Sequence, residues 1–246
     1  RAATTERADG TAGLEKVGGF GGKAVTLAQG EVLAGDSDFY KKTLADYATV
    51  TPAEVRGAMA QWLTKPAFSL RLEPGDRPEY EESAVVADAA KAGDAKITVT
   101  EQREIPDLGA LQALDFPEVS HVALSNGVQL HYAHRDAVPL TQLALSFNAG
   151  YAADAPDARG LQNLTLSLLD EGTTTLGSQQ IAEEEERLGA EINAGGSADR
   201  SSVTLSALSA NLAPSLDLLA DIVRNPAFAP AEVERVRAQT LTAIAQ

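Results

Sequence analysis

Apolar positions in the second half of the chain switch between a period of two and a period near 3.6, and each switch marks a strand or a helix. Val122 to Leu124 and Val128 to His134 alternate around Ser125-Asn126-Gly127. An Asn-Gly pair between alternating runs predicts a β-hairpin, because it accepts the positive φ of a tight turn. Leu140 to Phe147 predicts a third strand, Gly160 to Asp170 a helix, and Ser178 to Leu188 another helix. Glu191 to Gly195 and Ser201 to Leu208 return to the strand pattern. Leu212, Leu216, Leu219, Ala220 and Val223 then trace an amphipathic helix, and Pro230 to Gln246 opens a last one on proline and Glu232. Together these elements predict an α+β fold over residues 121–246, an antiparallel or mixed sheet with helices packed on one face.

The first 74 residues read differently. From about residue 10 onward the pattern is mostly helical. Gly18, Gly19, Gly21 and Gly22 precede an apolar stretch through Leu33, and Asp36 to Tyr47 forms a short amphipathic segment. Thr51-Pro52-Ala53-Glu54 carries the marks of a helix start: a capping threonine, proline at the first helical position and glutamate three residues after the cap. Val55, Met59, Trp62 and Leu63 supply the stripe that this helix would bury, and Ala67 to Leu72 alternates like a strand. Residues 75–120 hold Pro78, Pro106 and Pro117, with Pro74 just before them, and 11 acidic side chains against 4 basic ones. That composition reads as a linker, too poor in apolar surface to offset its own ordering.

Composition narrows the functions open to the chain. Of the 246 residues, 44% are hydrophobic and 22% charged, ordinary for a globular protein. A formal charge of −15 argues against nucleic acid, whose phosphates require clustered Lys and Arg. No apolar run approaches the roughly 18 residues needed to span a bilayer. The absence of cysteine excludes disulfides and thiolate metal sites. The chain opens on Arg1 and still reads as helix at Gln246, which points to a piece of a longer protein.

Several candidate sites dissolve on inspection. His131 and His134 stand three apart in a predicted strand, on opposite faces, so they do not converge on one ion. His121 has no acidic or histidine partner at a useful spacing. Gly18-Gly-Phe-Gly-Gly-Lys23 has the glycine content of a phosphate cradle, but Val17 and Ala24 stand where a P-loop needs Gly and Ser/Thr, so a glycine turn before a helix is the better reading. Glu183 to Glu186 spread around a helix and form a solvated face. Asn163-Leu164-Thr165 is a glycosylation triplet on a half-buried helix, a poor acceptor.

The run Gly160-Leu161-Gln162-Asn163-Leu164-Thr165-Leu166-Ser167-Leu168-Leu169-Asp170-Glu171-Gly172-Thr173 resembles the inverted zinc motif of the insulinase/pitrilysin-type zinc metallopeptidase family, G-L-x-H-x-x-E-H-x-x-x-x-G-T. Around it, Leu124-Ser-Asn-Gly-Val128, Phe147-Asn-Ala-Gly150, Asp170-Glu-Gly-Thr-Thr-Thr175, Leu188-Gly-Ala-Glu-Ile-Asn193, Ser202-Val-Thr-Leu-Ser-Ala207 and Leu218 to Phe228 follow the family's order and spacing. More loosely, residues 1–74 resemble the closing stretch of a preceding unit, through Gly35-Asp36, Tyr40, Val50-Thr51-Pro52 and a Trp-Leu helix end. The resemblance thus implies the end of one processing-peptidase-like unit (1–74), an acidic Pro-containing linker (75–120), and the truncated N-terminal domain of a second unit (121–246).

In active members of that family two histidines one helical turn apart bind zinc, and a glutamate between them polarises the attacking water. Here Asn163 and Ser167 replace the histidines and Leu166 replaces the glutamate. A third ligand from a later helix falls near Ala243, in a stretch without an acidic residue from Arg235 to Gln246. The resemblance therefore implies no catalytic or metal residue in this segment, with zinc carried by the full protein or its partner. It implies a two-unit metallopeptidase acting on peptides or unfolded segments, in which this half contributes chamber wall and substrate contacts. The alternative is a non-catalytic partner subunit that supports a separate zinc-bearing chain. Family habit favours the bacterial periplasm.

Overall fold

The computed structural model describes residues 2–17, 19–72 and 116–245, with the isolated positions 75 and 109. Most of the predicted linker and Gly18 lie outside the described residues. The centre of residues 121–245 is a three-stranded sheet in the order β3 (Leu140–Phe147), β5 (Ser201–Leu208), β4 (Ala190–Gly196), antiparallel throughout. Leu143 and Ile192 flank Leu205 from either side. The period-two pattern of β5 sorts its side chains completely. Val203, Leu205 and Ala207 are 2%, 1% and 0% exposed, whereas Ser202, Thr204 and Ser206 face the opposite side.

Two helices cover the apolar face: α6 (Ser178–Leu188) and α7 (Leu212–Arg224). Ile181 and Leu188 of α6 join Leu218, Leu219 and Ile222 of α7 and the sheet residues in one buried cluster. Helix α6 ends at Gly189, whose φ of 61° is the left-handed conformation that closes a helix and that β-carbons disfavour. In α7 the stripe is rotated from the predicted one. Ser215, Leu218, Leu219 and Ile222 are buried, Leu212, Leu216 and Val223 lie at its margin, and Ala220 is exposed. Both sets satisfy helical spacing; the sheet selects the one centred on Leu218 and Ile222, and Ser215 is admitted because its hydroxyl donates to Asn211 O at 2.8 Å.

The predicted hairpin forms as β1 (Val119–Ala123) and β2 (Gln129–Ala133), a separate two-stranded sheet exposed on both faces. Its turn uses positive φ only at Gly127 (86°), where Gly127 N donates to Leu124 O at 2.9 Å and Leu124 N to Val128 O at 2.8 Å. Asn126 contributes through its side chain, which accepts from Val128 N at 3.1 Å. Two more helices complete this part: the short α5 (Leu161–Leu166) and α8 (Pro230–Ala245).

Residues 2–72 form α1 (Ala2–Gly13), α2 (Lys23–Ala34), α3 (Phe39–Thr49) and α4 (Pro52–Trp62). Helix α1 begins well before the predicted helical zone and packs on α6, with Thr5 Oγ1 donating to Glu186 O at 3.4 Å. Helix α4 carries the predicted reciprocal cap: Glu54 N donates to Thr51 Oγ1 at 3.3 Å and Thr51 N to Glu54 Oε2 at 2.8 Å. Its apolar stripe is not buried, however. Val55, Met59, Trp62 and Leu63 are all exposed, Trp62 to 60%. Nor is Ala67 to Leu72 a strand; it is irregular, with Phe68, Leu70 and Leu72 exposed. A stripe or an alternating run forms a buried face only against a facing surface, and none of the described residues supplies one here.

Leu205 sits where both strand ladders and both helices meet. Leu205→Ala is expected to destabilise the fold by about 2–5 kcal/mol through lost transfer energy and a residual cavity, read as a lower urea midpoint at unchanged slope.

Candidate functional site

The run that resembles a zinc motif folds as a short helix and a tight turn. Helix α5 starts after Gly160, whose φ is 94°, and its free N–H groups are taken by Asp154: Gly160 N donates to Oδ2 at 2.8 Å and Gln162 N to Oδ1 at 3.2 Å. The helix is six residues long, shorter than the predicted Gly160–Asp170, and a 3₁₀ turn at Leu169–Glu171 follows it. Thr165 and Ser167 both bond back to their own helix, to Leu161 O at 2.8 Å and Asn163 O at 2.9 Å. Such hydroxyls compete with helical backbone bonding and favour a break.

Asn163 and Ser167 share one exposed face, a turn apart. The Ser167 hydroxyl is engaged by Asn163 O, and Leu166 packs half-buried against the hydrophobic cluster. Ala243 lies exposed on α8. An amide, a hydroxyl already bonded to its own backbone and an alkyl chain do not make a catalytic zinc shell, which requires imidazole, carboxylate or thiolate donors. Among the described residues no group of three or more His, Cys, Asp or Glu side chains could hold a metal ion.

Gln162, which the sequence alone does not single out, carries the contact between helix and sheet. Its Nε2 donates to Ser201 Oγ at 2.9 Å, and Ser201 Oγ in turn donates to Ala149 O. Its Oε1 is buried with no hydrogen-bond partner. Gly196 at the end of β4 lies under this side chain: a β-carbon there would come within 2.0 Å of Gln162 Nε2. Gly150 meets the backbone as closely, since a β-carbon would fall 2.0 Å from Ala198 O. Only the tertiary contact explains why these glycines are glycine.

The second half of the motif is a docking turn. Thr173 is buried; its N donates to Leu176 O at 2.8 Å, Thr174 N to Asn225 O at 2.9 Å, and Ala227 N to Gly172 O at 2.9 Å. Thr175 Oγ1 donates to Asp221 Oδ2 at 3.0 Å. Hydrogen bonds from Thr173, Asn225 and Thr175 hold the Asp221 carboxyl below its ordinary range. Glu171 pairs with Arg235, and Arg235 Nε also donates to Glu232 Oε2 at 2.7 Å. The turn is thereby tied both to the end of α7 and to α8.

Among the four glutamates on α6, Glu185 is drawn toward the sheet. Half-buried, it accepts a hydrogen bond from Ile192 N on β4 at 2.9 Å. Loss of hydration pushes its carboxyl from 4.5 up to about 7, with the Ile192 bond opposing and the charges of Asp170 and Glu191 adding to the rise. The polar face of the sheet is open, with a shallow hollow of about 380 Å³ lined by residues that include Gln142, Glu191, Asn193, Thr204 and Ser206.

His131 lies in β2, and His134, one residue past its end, sits beside Tyr132 with ring centroids 6.3 Å apart. His121 does have a partner: it stands directly across the hairpin from His131. The glycine turn before α2 has positive φ at Gly19 (78°) and Gly21 (88°), and Gly22 caps the helix.

Residues 132–246 match the family model described as Insulinase (Peptidase family M16), and this part of the chain belongs to that family. It is a domain of the family without the residues from which the family's zinc chemistry is built. A Helicobacter pylori protein described as the non-peptidase homologue YmxG is 25% identical over 140 residues, 56% of this chain and 32% of that protein. The crystal structure of a peptidase M16 inactive domain from Pseudomonas fluorescens is 28% identical with a TM-score of 0.48, covering 51% of this chain and 31% of the other. The structure of a protease from Helicobacter pylori is 21% identical with a TM-score of 0.46 over the same shares. The chain thus spans about a third of the length of each of these relatives.

Folded Glu185 keeps its proton up to about pH 7, whereas the unfolded chain releases it near 4.5. Its contribution to stability is therefore full below pH 4.5 and is lost as pH rises through 7. Glu185→Gln keeps an acceptor for Ile192 N without the charge. We expect it to raise the urea midpoint at pH 8 and to leave it nearly unchanged at pH 4.5.

Proposed function

We propose that this chain is part of a two-unit zinc metallopeptidase of bacterial type, in which it forms the non-catalytic half. On this reading residues 1–74 close a first unit that carries the zinc, 75–120 link the units, and 121–246 open the second unit. The observation that carries it is the condition of the motif segment. Its frame is intact, from the Asp154 cap to the Thr173 turn and the Glu171–Arg235 pair, while the ligand positions hold Asn163, Leu166 and Ser167. A domain kept for its shape serves as wall and platform; no step of the chemistry passes through these residues.

The working edge of the platform is β4. Ile192 turns its N–H away from β5 toward Glu185, and in an antiparallel ladder the residues two positions away point the same way. Ala194 therefore offers its N–H and C=O to the outer edge, where an extended peptide can add as a further strand. The open hollow beside it, with Gln142, Glu191 and Asn193, supplies polar contacts for alternate side chains. The substrates suited to such an edge are peptides or unfolded segments. The periplasm is the compartment we assign, by analogy with the family.

Two variants of the full-length protein test the assignment. Asn163→Ala is expected to leave peptidase activity within a few-fold, since the position ligates nothing; a loss on the order of 100-fold, the scale of a removed catalytic group, would overturn it. Ala194→Pro removes an outward N–H that an edge strand does not use and is expected to raise KM for a peptide with little change in kcat. An unaltered KM would refute the edge as substrate contact. The second reading, a non-catalytic subunit that activates a separate zinc-bearing chain, draws on the printed description of the Helicobacter pylori relative as a non-peptidase. Purified full-length protein that holds no zinc yet restores activity to a second chain would select it.

A further inference from the structure

His121 on β1 and His131 on β2 are paired in the hairpin register, with Nδ1 atoms 2.6 Å apart and ring centroids 4.7 Å apart at 82°. Bonded and non-bonded pairs alternate along an antiparallel ladder, and Leu124 N donates to Val128 O at the turn. Counting outward, 123–129 is non-bonded, 122–130 bonded and 121–131 non-bonded. Non-bonded pairs have the shorter Cα separation, which brings the two imidazoles together on one face. Both histidines are exposed, so their nitrogens are accessible from solvent. The other residues of that face, Val119, Ala123, Gln129 and Ala133, carry no charge that would compete for an ion.

We propose that His121 and His131 form a two-imidazole binding site for a divalent transition-metal ion, with copper(II) preferred. In the metal-free hairpin the two Nδ1 atoms share one hydrogen bond. On binding, the proton shared between the two Nδ1 atoms passes to Nε2 or to solvent, and both Nδ1 lone pairs turn to the ion. The geometry selects the ion. At metal–nitrogen distances near 2.05 Å, cis ligands of a square site lie about 2.9 Å apart and those of a tetrahedral site about 3.4 Å. The observed 2.6 Å needs a small opening to reach the square value and a larger one to reach the tetrahedral value. A tetragonal ion fits with water in its remaining positions, and among divalent ions copper binds nitrogen donors most tightly. The site is separate from the degenerate motif and does not depend on the function proposed above.

Copper(II) titration of the protein, followed by electron paramagnetic resonance and calorimetry, tests this. The expected result is one ion per chain with nitrogen coordination, lost in His121→Ala and in His131→Ala and retained in His134→Ala, which alters the opposite face. His121→Gln, which preserves bulk in the strand, should lose the site as well, with the circular dichroism spectrum of every variant unchanged. Copper binding that survives both His121 and His131 substitutions, or that disappears with His134→Ala alone, overturns the proposal. Tighter binding of zinc than of copper overturns the square geometry.

Discussion

The architecture of residues 121–245 depends on one row of side chains. Val203, Leu205 and Ala207 lie on the central strand of the sheet, paired on both sides and capped by α6 and α7. Burying that row removes apolar surface from water and at the same time satisfies the backbone of β5 through two ladders. The partners are fixed in consequence. Leu143 and Ile192 must align with Leu205, and α7 must turn Leu218 and Ile222 inward at the cost of its other possible stripe. The motif segment is hung on this assembly through Gln162, Thr174 and Glu171.

That dependence explains how a zinc-motif frame can persist without ligands. Its helix is held at one end by the Asp154 carboxylate and on its inner side by Gln162 against Ser201. The following turn is fixed by Gly172 and Thr174 to the loop after α7, and by Glu171 to Arg235 on α8. None of these contacts involves Asn163, the Ser167 side chain is spent on its own helix, and Leu166 contributes to the core. The contacts that hold the frame thus do not run through the side chains of Asn163 or Ser167.

Charge in the domain is placed with similar economy. Of four successive glutamates, Glu185 engages the backbone of β4, where it occupies an N–H that would otherwise lie open on an edge strand. A side chain that occupies an outward N–H covers part of the edge against unwanted strand pairing. The same contact borders the stretch of β4 assigned above to peptide binding, so protection and use of the edge meet within a few residues.

The order of strands and helices from β1 to α8 was legible in the sequence, because periodicity is a property of consecutive residues and each element has its own period. The residues at the motif positions, Asn163, Leu166 and Ser167, are likewise a matter of side-chain identity alone. Where a pattern needed a distant surface to give it meaning, the sequence was silent or misleading. The stripe of α4 and the alternation of Ala67 to Leu72 predicted buried faces and are exposed, and α7 held two acceptable stripes until the sheet chose one. The bonds from Gln162 to Ser201 and from Glu171 to Arg235, the Glu185–Ile192 contact and the facing of His121 with His131 join residues that chain proximity does not relate in this way. Only the tertiary structure decided them, because register and packing, rather than local preference, determine which side chains meet.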